Sequence, residues 1–328
     1  MRISAKLVAV LAVVIGLPIF TQAQAQQEGP LTLREGDSVI HILPTVEKTR
    51  ELPPPAGPLL YHPPGPVMQP SVSTYEIFWL PASGKLQDGT PTTLPAHYQL
   101  VQKNLMTDYP GHGIANNSTQ YFQIVGGKTK YIQVAGKLAK TIIDTDEYPA
   151  SGCSDPFTGK NCITDAQLQT EIAKVLAAHG LKGSLTNMYL VYTSSGEGSC
   201  FTSTDGMCAY SSYCAYHSFF GAGPIIYANL PFGFLPTCQI PGTPSPNGDP
   251  PADAVATVAT HELTEAITDP ELDAWFTSAG EEIGDLCDFV YGPFTWDSGM
   301  ANQSWNADFF VVQEEYDNHT AACVQVGP

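Results

Sequence analysis

The chain has 328 residues, of which 43% are apolar and only 14% charged. Disordered chains combine low hydrophobicity with high charge, so this one is built to bury a core. Its 32 acidic against 14 basic residues give a net charge of −18, with no basic run, which excludes nucleic acid and anionic membrane surfaces as partners.

Residues 1–25 read as an export signal. Arg2 and Lys6 precede an apolar stretch over 7–20, and Ala23-Gln24-Ala25 supplies the small-x-small cleavage pattern. The stretch is short for a membrane span, and no other segment is apolar enough for one. The expectation is a secreted protein of extracellular space, cell wall or periplasm, with no membrane association after cleavage. Residues 26–70 are rich in proline and read as an extended N-terminal segment. Residues 71–328 read as a single domain.

Within that domain, 75–80 predicts a strand, rich in aromatic and branched residues. A helix is expected over 95–109, starting at Pro95. Strands over 121–125 and 131–134 flank a Gly126-Gly127 turn. Thr164 and Gln167 form a capping box for a helix over 164–179, with Leu168, Ile172, Val175 and Leu176 on its apolar face and Gly180 at its end. Strands follow over 188–193 and 224–228. Asp249 caps a helix over 250–268, which Pro270 stops. The order implies an α+β fold, a mixed twisted sheet with covering helices and disulfide-tied loops.

All eight cysteines, Cys153, Cys162, Cys200, Cys208, Cys214, Cys238, Cys287 and Cys323, follow the export signal. An even number in an exported chain implies four disulfides. Cys153 with Cys162 is the expected pair, because the two bracket a Gly/Pro/Asp loop. No C-x2-C pair supports a thiolate zinc site.

The last helix carries the chemistry. Ala254, Val255, Val258, Ala259, Leu263, Ala266 and Ile267 make it apolar nearly all round, which predicts burial. His261, Glu262 and Glu265 lie in its middle, and buried ionisable groups need partners or a metal. His261 and Glu265, four residues apart, share a face and can meet one ion, with Glu262 beside it as general base for a metal-bound water. This is the spacing of the H-E-x-x-H zinc helix with glutamate in the last place. Asp285 is the expected third ligand, held by Ile283, Leu286 and Cys287, with Glu282 as the alternative. One imidazole and two carboxylates suit zinc, and also manganese or iron. Asp269, Glu282 and Asp285 with Glu265 would instead suit calcium. His217 reads as a packed or surface histidine, with a role in orienting substrate as the alternative. No G-x-S-x-G elbow, G-x-G-x-x-G or P-loop occurs, so serine hydrolase and nucleotide chemistry are unsupported.

Several segments in order resemble the phosphate-induced protein/EXORDIUM family: Tyr61-His62-Pro63-Pro64-Gly65-Pro66-Val67-Met68, Ile77-Phe78-Trp79, the block from Ile163 to Gln169, and Met188-Tyr189-Leu190-Val191-Tyr192-Thr193-Ser194. The resemblance implies an extracellular or cell-wall protein linked, in plants, to growth. This chain departs from many of those relatives in carrying His261-Glu262. The element order also resembles zincin metallopeptidases, which implies a helix under a mixed sheet and favours Asp285 as third ligand. The combined expectation is a secreted metal-dependent hydrolase acting on peptide or protein. The alternative is a non-enzymatic EXORDIUM-type protein binding wall polysaccharide, with a structural or absent metal.

Overall fold

Branched and aromatic runs form the strands of a mixed sheet in the computed structural model, which describes residues 26–27, 31–133, 135–204, 206–233 and 237–328. The expected export signal lies outside these residues, as does Val134. Seven strands make the sheet: β1 (Thr32–Glu35), β2 (Ser38–Pro44), β3 (Val72–Trp79), β4 (Gly136–Asp144), β5 (Asn187–Thr193), β6 (Tyr213–Phe220) and β7 (Ile225–Leu230). Their spatial order is β1-β2-β6-β7-β5-β3-β4, and Gln26–Gln27 pairs outside β1. β7, β5, β3 and β4 run parallel, while β1, β2, β6 and β7 pair antiparallel in succession.

The expected strands near 75–80, 188–193 and 224–228 appear as β3, β5 and β7. The expected hairpin also forms, with Phe122–Val125 pairing Lys128–Tyr131. Its second strand starts three residues earlier than expected, because Gly126 and Gly127, both at positive φ, complete the turn by themselves. The 26–70 segment is not extended throughout: β1, β2 and a short helix α1 (Val46–Glu51) precede the prolines. The prolines that dominate its composition lie from residue 53 onward, and averaging over the whole segment hides the hairpin.

Three longer helices flank the sheet: α2 (Ala96–Asp108), α3 (Asp165–His179) and α4 (Pro250–Thr268). α3 has the expected capping box between Thr164 and Gln167, and ends at Gly180 in the left-handed conformation. α4 has the expected bounds, with the Asp249 side chain accepting from the Ala252 N–H at 3.3 Å.

Strand alternation fixes which helix covers which face. Tyr216 and His217 are neighbours on β6 and point to opposite sides. The Tyr216 hydroxyl donates to Asp165 at the start of α3, while His217 faces the carboxylates of α4. α3 and α4 therefore cover opposite faces, which explains why β5 and β7 are buried almost throughout. α4 is buried from Ala252 to Thr268. Thr260 and Thr264 satisfy their hydroxyls within the helix, donating to Ala256 O at 3.1 Å and Thr260 O at 2.8 Å, while Thr257 donates to Val311 O at 2.7 Å.

Four disulfides tie the loops, and no described cysteine is free. Cys153–Cys162 is the expected pair; the others are Cys200–Cys208, Cys214–Cys238 and Cys287–Cys323. The last joins the turn after α4 to the C-terminal strands, Glu315–Asp317 and Ala322–Val324.

Glu76 on β3 gives the core a pH signature. It is fully buried; Thr141 donates to its Oε2 at 2.8 Å, and Oε1 has no partner. Burial pushes its carboxyl from 4.5 up to about 8, against smaller opposing effects of Thr141 and Lys103. Between these values the folded state holds a proton that the unfolded state has released, so stability falls as pH rises through that window. Glu76→Gln is expected to flatten this decline and to raise stability at pH 8 by on the order of 1–2 kcal/mol, read from denaturant melts across the range.

Candidate metal centre

α4 displays His261, Glu262 and Glu265 toward β6, as helical spacing requires. The His261 Nε2 lies 3.1 Å from Glu265 Oε1. His217 on β6 brings its Nδ1 within 3.4 Å of both Glu262 Oε2 and Glu265 Oε2. Sheet pairing adds a third imidazole. His41 on β2 stands opposite His217 in the antiparallel register, with ring centroids 5.7 Å apart.

The turn after α4 closes the cluster from below. Asp285 Oδ2 lies 2.8 Å from His41 Nε2 and accepts from the Glu282 backbone N–H at 2.5 Å. Glu282 lies between the two strand histidines, 3.5 Å from His41 Nδ1 and 3.7 Å from His217 Nε2. Asp288 Oδ1 is 3.8 Å from His261 Nδ1. Gln313 Nε2 meets that same Nδ1 at 2.8 Å and donates to Gly284 O at 3.1 Å, while its Oε1 has no partner.

The electrostatics follow from burial. His41, His217, His261, Glu262, Glu265, Glu282 and Asp285 are all at most 5% exposed. Burial alone would lower the His217 imidazole, but the Glu262 and Glu265 carboxylates outweigh it and raise it to about 9. Burial raises Glu265, yet His261, His217 and His41 together hold it well below the usual carboxylate range. Glu282 is pushed well up by burial and then by neighbouring carboxylates, and Asp288 well up by burial, which outweighs the opposing His261 imidazole.

The residues present fit a divalent ion. Both oxygens of Glu262 and of Glu265, both nitrogens of His217 and the His261 Nε2 are buried without hydrogen-bond partners. Imidazole and carboxylate atoms converge within 4.8 Å in sets that include His217, Glu262 and Glu265; His41, Glu265 and Asp285; and His261, Asp285 and Asp288. The structure thus gathers the four sequence-marked residues, His261, Glu262, Glu265 and Asp285, into one cluster. Glu282 joins it. Asp269 instead shapes the exit from α4, where its Oδ1 accepts from the Asp273 and Ala274 N–H groups at 2.7 Å each. His217 is a member of the cluster rather than a packing residue, and His41 is a member that local sequence reading does not reach. The one sequence signal for His41 is a histidine inside the apolar run Val39-Ile40-His41-Ile42-Leu43.

A cavity of about 220 Å³ reaches the cluster at Asp285 and Asp288, walled by Leu52, Pro53 and Pro55. Glu262 is not part of its lining.

Short segments of the chain are similar to two proteins of Arabidopsis thaliana. Protein EXORDIUM-like 5 is 41% identical over 51 residues, 14% of each chain. Protein EXORDIUM-like 3 is 42% identical over 68 residues, 19% of this chain and 20% of that one. The matched stretches therefore span a fifth or less of these relatives. No protein-family model and no solved structure matches the chain.

Gly284 brings the backbone tight against the cluster. A Cβ there would lie 2.5 Å from His261 Nδ1 and 2.9 Å from Glu265 Oε1. Its φ of −75° suits any residue, so the obstacle is steric. Gly284→Ala is expected to push His261 aside, weaken metal uptake at least tenfold and cost about 1–3 kcal/mol, measured by metal titration and thermal melts.

Proposed function

We propose that the protein is an extracellular, non-enzymatic binding protein of the EXORDIUM type whose His–carboxylate cluster holds a structural divalent metal. The observation that carries the metal is the burial of all four Glu262 and Glu265 carboxylate oxygens without hydrogen bonds. The EXORDIUM-like segments support the class. Four disulfides with no free cysteine among the described residues are the pattern of extracellular proteins, and no described helix is long and apolar enough to cross a membrane. Zinc suits the donor set best, with manganese or iron sharing its chemistry. Such an ion would join β2, β6, α4 and the turn at residues 282–288. Wall polysaccharide is the proposed partner, with Tyr131 and Trp296, each about half exposed, as stacking surfaces.

Removing the metal from the purified protein is expected to lower its Tm by about 10 °C, the scale of a ligand held at a large excess over its Kd. Readdition of zinc restores it. An unchanged melt in a protein that has lost stoichiometric metal would overturn the structural role. Glycan binding that survives mild chelation, and weakens in Tyr131→Ala, supports the partner.

A second reading, a zincin-like metallohydrolase acting on peptides, rests on Glu262. It follows His261 directly, its oxygens have no hydrogen-bond partner, and its Oε2 is 3.4 Å from His217. In this reading His261, Glu265 and Asp285 would hold an ion, which would supply Lewis-acid chemistry to a carbonyl and to water. Glu262 takes the proton at its carboxylate, and His217 steadies that carboxylate. The full burial of Glu262 speaks against it, since a catalytic ion keeps an open position for substrate. Glu262→Gln separates the readings. A peptide hydrolysis that falls at least 100-fold while metal stays bound establishes the hydrolase. Absence of hydrolysis in a metal-loaded wild type removes it.

A further inference from the structure

We infer that the cluster is a dinuclear centre, two divalent cations bridged by the Glu265 carboxylate. This rests on the metal-binding reading above and goes beyond it in number and arrangement.

The donor sets carry the inference. His217, Glu262 and Glu265 converge within 4.8 Å, and so do His261, Asp285 and Asp288. These two sets have no residue in common. Each offers one imidazole and two carboxylates, a full protein ligand set for one transition-metal ion. The third set, His41 with Glu265 and Asp285, takes one residue from each and so links them.

Glu265 is placed as a bridge. Its Oε1 faces His261 Nε2 at 3.1 Å and its Oε2 faces His217 Nδ1 at 3.4 Å. The two oxygens of one carboxylate are thus directed to different imidazoles, one on each side. Paired metal ions sit about 3.5–4 Å apart, a span that one carboxylate bridges. His41, 2.8 Å from Asp285 and 3.0 Å from the Thr32 hydroxyl, acts as a positioning residue for the second set.

Charge gives a separate reason. Glu262, Glu265, Glu282, Asp285, Asp288 and Glu315 bring six carboxyl groups to one interior region. A single divalent cation can offset two ionised carboxylates, whereas two cations can offset four. Uncompensated charge in such a region is strongly unfavourable.

The test is metal stoichiometry of the full secreted chain loaded with Zn2+, read by elemental mass spectrometry, for wild type, His217→Ala and His261→Ala. Two ions per chain in wild type and one in each variant is the expected result. One ion in wild type overturns the dinuclear centre and leaves the single-metal reading standing. No ion in any of them overturns both. The wild type loaded with Mn2+ supplies a measurement independent of variant folding. Electron paramagnetic resonance is expected to show an exchange-coupled Mn2+ pair, and the six-line pattern of isolated ions at full loading would overturn the bridge.

Discussion

Burying six carboxyl groups and three imidazoles in one interior region is the constraint on which the rest of this structure depends. Each ion taken from water costs several kcal/mol even after relaxation, and mutual attraction repays that only when every charge finds an opposite one. The surrounding elements meet that demand in an ordered way. α4 is apolar on its other faces, so it can sit wholly inside the protein. Thr260, Thr264 and Thr268 bond back to their own helix and Thr257 donates to Val311 O, so none adds an unpaired hydroxyl. The sheet presents His41 and His217 side by side because β2 and β6 pair in that register. A slip of β2 against β6 by one residue would turn His41 to the α3 side and part it from His217.

The cluster is assembled from parts far apart in the chain. His41 and Asp285, in contact at 2.8 Å, are separated by 244 residues. Contacts of that range are slow to form, because loop closure comes before any reward. The disulfides shorten part of that search. Cys287–Cys323 holds the Asp285 turn against the C-terminal strands, next to Glu315 and Gln313. Cys214–Cys238 anchors the start of β6, three residues from His217. Two of the four crosslinks thus stand beside residues whose placement matters most.

This division explains what the amino-acid order discloses by itself. α4 and its three ionisable residues are legible, since capping by Asp249, termination at Pro270 and i,i+4 spacing are all local. Asp285 is legible as well, because it follows α4 closely within a short anchored turn. His41 and His217 are not, because strand pairing is a long-range choice that local pattern leaves open. β2 is hidden by its proline-rich neighbours, and β6 by the cysteines and tyrosines around it. β4, Gly-Lys-Leu-Ala-Lys-Thr-Ile-Ile-Asp, has too little alternation to stand out as a sheet strand.

The overall charge bears on both partner and metal. A net charge of −18 draws small cations toward the surface and raises their local concentration near the Asp285 and Asp288 opening. The same field repels acidic polysaccharide. A wall glycan that binds directly through Tyr131 or Trp296 therefore has to be neutral, because stacking on one or two exposed rings contributes too little to overcome the repulsion of a polyanion. Acidic glycans would need a bridging cation at the surface, a different kind of contact from the interior cluster. The interior cluster and an exposed aromatic face would thus place separate demands on one acidic chain, and chelation would reach only the first.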